Sequence, residues 1–139
     1  WKEERTYSVV KFDFSEIKPL FGFNKFEKDL KDRLIDNFSS LGFLYEPNST
    51  SLFSQLSKWL GDQAANSLVV LIDEYDAPLT SSLNDRILFN EVRGLLSEFY
   101  ALLKANDEAI RFLFITGITK FNKTSIFSEL NNLVSCNFN

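Results

Sequence analysis

Three acids crowd into four positions at Asp73, Glu74 and Asp76, directly after the apolar run Leu68 to Ile72, and a second apolar run from Ile110 ends in Thr116-Gly117. An apolar strand that runs into Asp-Glu has a physical use in phosphoryl transfer. The first carboxylate helps to hold hydrated Mg²⁺, and the second orients or deprotonates an attacking water. In that chemistry Asp73 is the metal residue and Glu74 the base. A hydroxyl at a neighbouring strand end can sense the terminal phosphate of a nucleotide and position the same water, which is the role open to Thr116. Gly117 lets the backbone pass close by.

Each of these residues also has a plainer reading. Acids after a strand favour the amino-terminal turn of a following helix. Asp76, just before Ala77-Pro78, reads on its own as a turn or cap residue. Asp13 reads as a solvated strand-end acid. Glu16-Ile17-Lys18 contains the Glu-x-Lys of metal-dependent nucleases, but in those sites the first acid precedes the tripeptide by a longer interval on a separate strand. Lys120, Lys123, Arg86 and Arg93 read as solvated side chains.

The elements that must position these groups follow from periodicity. Tyr7 to Phe14, YSVVKFDF, reads as a strand with polar groups at its carboxyl end. From Asn24, residues Phe26, Leu30, Leu34 and Phe38 recur at helical spacing, and Gly42 is a stop signal. Ser49, Thr50 or Ser51 caps a second helix whose face carries Leu52, Leu56, Trp59 and Leu60, ending near Gly61. Leu68 to Ile72 is apolar at every position, which predicts a strand covered on both faces. A polar loop, TSSLND, precedes a helix through NEVRGLLSEFYALLKAND with Val92, Leu95, Leu96, Phe99, Leu102 and Leu103 inward. Ile110 to Thr116 reads as another buried strand, and Thr124 to Leu133 as a last helix. Strands alternating with helices predict an α/β fold, a three-layer and mostly parallel sheet with flanking helices. In such sheets ligands sit beyond the carboxyl ends of the strands, the edge that collects Asp13, Asp73, Glu74, Asp76 and Thr116.

Composition bounds the class. The 139 residues make one domain's worth of chain, and 45% hydrophobic with 24% charged residues is globular. Fifteen phenylalanines predict a Phe-rich core. A net charge of −4 disfavours the broad footprint of a duplex binder. One cysteine, Cys136, cannot form an internal disulfide, and without histidine no Cys/His zinc site can be built, so a metal here is a hard cation held by oxygens. With no secretory leader and no apolar run of about 18 residues, the expectation is a cytoplasmic chain without a membrane partner. The chain starts at Trp1 and has no methionine, and it reads as an internal fragment.

The blocks VVLIDEYDAPL and RFLFITGITKFNKTSIFSELNNL, preceded by WKEERTYSVVKFDFS, together resemble the AAA-ATPase-like family of bacterial and some endosymbiont proteins. The resemblance runs nearly the whole chain. It implies a P-loop ATPase core of AAA type, of which residues 1–139 are a single partial domain, from after the phosphate loop through the sensor strand. It gives Asp73 and Glu74 the Walker B roles and Thr116 the sensor role, adds Asp76 to the cofactor-binding set, and implies ATP and Mg²⁺ as ligands. Phe127, Ser128, Asn131 and Asn132 match without an assigned chemistry. The resemblance leaves a homo-oligomer open and gives nucleic acid a role only through a PD-(D/E)XK nuclease-like domain absent from this chain.

The chain departs from that pattern in lacking the Gly-rich loop G-x-x-x-x-G-K-[ST]. In the usual strand order the phosphate-loop strand pairs beside Ile110 to Thr116, so without it an apolar edge stands open and the piece alone should be poorly soluble or pair with something. Alone it should not turn over ATP. The alternative reading is a non-catalytic interaction module of the same fold that has lost nucleotide binding.

Overall fold

A computed structural model describes residues 7–117. Three parallel strands, β1 (Ser8–Asp13), β2 (Leu68–Asp73) and β3 (Ile110–Ile115), form one sheet in the order β1-β2-β3. Each connection between strands carries helices: α1 (Phe23–Ser39) and α2 (Leu52–Gly61) before β2, then α3 (Ala77–Thr80) and α4 (Arg86–Ala105) before β3. The expected α/β class with a parallel sheet and flanking helices is what is found. Because the strands are parallel, their carboxyl ends share one edge, where Asp13 lies abreast of Asp73.

Helix α1 buries Phe26, Leu30, Leu34 and Phe38, the stripe expected from spacing, and the chain turns away at Gly42 with φ +107°, a conformation that suits glycine. The opposite face of α1 is solvated and carries the ion pairs Lys25–Asp29 and Lys28–Asp32, each at 2.6 Å. Ser51 caps α2, its hydroxyl accepting from the Ser54 amide at 3.2 Å. In α4 all six expected inward residues are buried. That helix starts four residues earlier than its apolar pattern, because Asp85 closes the polar loop by accepting from the Leu88 amide at 3.1 Å.

The core is aromatic, as fifteen phenylalanines predict. Phe12 of β1 packs edge-on against Phe99 of α4 at 5.3 Å between ring centres and lies 6.1 Å from Phe38 of α1. Both helices therefore cover the sheet face that carries Val10, Phe12, Val70, Ile72, Leu113 and Ile115, all buried.

Among the described residues the other face is less covered than two-sided burial requires. Val69 and Leu71 are half-buried, while Val9, Phe112 and Phe114 are 56%, 45% and 41% exposed. Among the described residues the helices form one layer on the sheet, so the architecture there has two layers rather than three. The unbroken apolar runs of β2 and β3 signal an apolar second face, and no described helix covers it. Among the described residues β3 is also a sheet edge. The helix expected over 124–133, with Lys120, Lys123, Phe127, Ser128, Asn131, Asn132 and Cys136, lies outside the described residues. Among the described residues no helix is long and apolar enough to cross a membrane.

Candidate functional site at the carboxyl ends of the strands

Strand β2 delivers Asp73 to the rim, and the chain then turns sharply. Glu74 takes φ +52°, a left-handed conformation that costs a residue with a Cβ about 1–2 kcal/mol and has to be held by its surroundings. The holding groups come from the end of β3. The Thr116 amide donates to the Ile72 carbonyl and the Tyr75 amide to the Thr116 carbonyl, both at 2.9 Å. The Ala77 amide closes the turn onto the Glu74 carbonyl at 3.0 Å, and α3 follows.

Side chains join the same two strand ends. The Thr116 hydroxyl donates a short hydrogen bond to Asp73 Oδ1 and accepts from the Glu74 amide at 3.2 Å. One threonine hydroxyl thus bridges the expected metal carboxylate and the backbone of the expected base. Asp73 and Glu74 are half-buried and Thr116 is exposed, so this group faces the rim.

Asp76 does not join them on that surface. It is 3% exposed and lies beneath the rim, with Tyr75 at 4%. Burial, and then the Asp76 charge, raise the pKa of the Tyr75 hydroxyl. Burial, with the nearby Tyr75 and Asp76, pushes that of fully buried Tyr100 far up as well. Both phenols are protonated under ordinary conditions.

Gly117 closes this layer for a reason different from the expected close backbone passage. A Cβ at position 117 would run into the Tyr75 ring, 2.5 Å from Cδ1 and overlapping Cε1, and would stand 3.1 Å from Asp76 Oδ1. The space a side chain would need is filled by Tyr75. Sequence reasoning missed Tyr75; the only available signal was an aromatic residue set among acids immediately after a buried strand.

Asp13 points its carboxylate at its own chain, accepting from the Ser15 amide at 3.0 Å and the Ser15 hydroxyl at 2.6 Å. Those bonds hold its pKa below the ordinary 3.8. Glu16 pairs with Arg33 at 3.0 Å on the exposed surface. Arg86 is exposed and Arg93 half-buried on α4.

Among the described residues no three Asp, Glu, Cys or His side chains converge as a cation cage. The donor set fits Mg²⁺ in its nucleotide-associated form, held by one carboxylate, several waters and phosphate oxygens. Asp73 is the residue that could supply that carboxylate, with a second oxygen beyond the one engaged by Thr116.

Residues 1–127 match the AAA-ATPase-like family, described as "Predicted AAA-ATPase". The chain is 29% identical over 138 residues to an "Uncharacterized protein in vnfD 5'region" of Azotobacter chroococcum mcd 1, covering 96% of this chain and 26% of that protein. It spans about a quarter of the length of that relative. No solved structure matches the chain.

Proposed function

Because the chain belongs to the AAA-ATPase-like family, we propose that it forms the acidic half of the nucleotide site in a P-loop ATPase of AAA type, the Gly-Lys phosphate loop being supplied by another part of the protein. Asp73 would hold Mg²⁺, Glu74 takes the proton of the attacking water, and Thr116 positions that water against the terminal phosphate. The chemistry a bound Mg²⁺ would supply is neutralisation of charge on the phosphates.

The observation that carries this reading is the Thr116 hydroxyl between Asp73 Oδ1 and the Glu74 amide. Its single proton is committed to Asp73, so a phosphate oxygen, itself an acceptor, can bind Thr116 only if that proton turns away from the carboxylate. The threonine thereby links the metal acid to the terminal phosphate. Asp76, buried beneath the rim, belongs to the frame of the site.

The test is ATP binding and hydrolysis by the full-length protein, wild type against Glu74→Gln. The expected result is Mg-ATP hydrolysis by the wild type, with Glu74→Gln binding nucleotide but turning over about tenfold or more slower, as loss of a general base requires. If neither protein binds nucleotide, the ATPase reading fails and an interaction module of the same fold takes its place.

A further inference from the structure

The geometry points to Tyr75 and Gly117 as positioning residues for Glu74: the buried ring, seated where a side chain at 117 would lie, holds the left-handed Glu74 turn against the end of β3. This inference rests on the proposed role of Glu74 as the water-activating base.

A residue with a Cβ does not rest at φ +52° unless its neighbours over-determine it. Glu74 stands between Asp73, fixed in the register of β2, and Tyr75, fixed twice. The Tyr75 amide donates to the Thr116 carbonyl at 2.9 Å, and its ring is buried against the bare α-carbon of Gly117. Both anchors belong to the residue pair that also presents the Thr116 hydroxyl to Asp73 and to the Glu74 amide. With the ring displaced, Tyr75 loses its packing, and Glu74 can relax toward the extended conformation it prefers, which re-aims its carboxylate.

A methyl group at 117 cannot coexist with the ring in its present place, since it would overlap Cε1 and stand 2.5 Å from Cδ1. Gly117→Ala therefore acts on Glu74 through Tyr75. In a Tyr75→Ala background the overlap with the ring is gone and only the 3.1 Å approach to Asp76 Oδ1 is left, so the same substitution adds little further loss. Tyr75→Phe keeps the ring that fills this space and so keeps the clamp.

The experiment is a double-mutant cycle on the full-length protein, with the nucleotide Kd and kcat for Mg-ATP measured for wild type, Gly117→Ala, Tyr75→Ala, the double variant and Tyr75→Phe. The expected result is a fall in kcat of about tenfold or more for Gly117→Ala and for Tyr75→Ala, Kd within about threefold of wild type, and little further loss in the double variant. Tyr75→Phe stays at the wild-type rate. Additive losses in the double variant, an unchanged kcat in Gly117→Ala, or losses in Kd rather than kcat overturn the inference. If Gly117→Ala does not fold, Tyr75→Phe against Tyr75→Ala decides: equal rates overturn it, and a slow Ala variant beside a normal Phe variant supports it. A wild type that neither binds nor hydrolyses ATP sinks the underlying ATPase reading instead, a result distinct from a normal wild type with an unaffected Gly117→Ala.

Discussion

Asp13 and Asp73 lie abreast in the register of β1 and β2, yet they are put to different uses. Asp73 is bound by a residue from another strand, whereas Asp13 turns onto Ser15 two positions later and caps the short 3-10 turn of Phe14–Glu16. Its depressed pKa fixes the sign of a pH effect. A carboxylate lowered in the folded state stabilises the fold above its unfolded pKa, and the contribution fades as pH falls through the folded value. Asp13→Ala should therefore cost about 1 kcal/mol at neutral pH, and the difference from wild type should shrink below about pH 4, as read by urea unfolding at a series of pH values. At this scale the rim acids were legible because Asp73, Glu74 and Thr116 all end apolar runs. The bridge between Thr116 and Asp73 was not, since hydrogen bonding between residues so far apart in the chain depends on sheet order. The packing of Tyr75 on Gly117 was hidden for the same reason, and the burial of Asp76 follows from the turn that Glu74 makes.

Helices α1, α2 and α4 were legible because each concentrates its apolar residues on one face, and a stripe at helical spacing survives whatever it packs against. The start of α4 was obscured because Arg86 and Ile87 are exposed, so the periodic signal begins a turn late. Helix α3, four residues with a proline near its start, is too short to show any period. The packing of α4 on the sheet centres on Phe99, which is fully buried and touches Phe12, Phe14 and Tyr100. Phe99→Ala should destabilise the fold by about 3–5 kcal/mol, whereas Ile87→Ala, at 75% exposure, should stay within about 0.5 kcal/mol. Chemical denaturation of the two variants checks both.

For the whole molecule, the second face of the sheet is the feature the sequence pattern described only halfway. An unbroken apolar strand announces that both faces avoid water, and it is silent about which segment does the covering. Phe112 and Phe114 leave an apolar surface on β3, a sheet edge among the described residues, their rings tilted at 5.7 Å between centres, and Val9 adds to the same face on β1, across β2. Such a surface promotes association. The 139-residue chain should associate with rising concentration in sedimentation velocity, and Phe112→Lys combined with Phe114→Glu should raise the concentration at which it does so by about fivefold or more. Equal association of the two chains would place the sticky surface elsewhere.

The order of the strands also sets a timetable for folding. Ser8 pairs with Leu68 and Leu68 with Ile110, so no two neighbouring strands can meet by a local turn. Each pairing must close a long loop before it is rewarded, which is the signature of slow assembly. During synthesis β1 and β2 are made well before β3, and the rim that unites Asp73, Glu74 and Thr116 cannot exist until the last strand has emerged. The acidic cluster is thus among the last parts of the described chain to be completed.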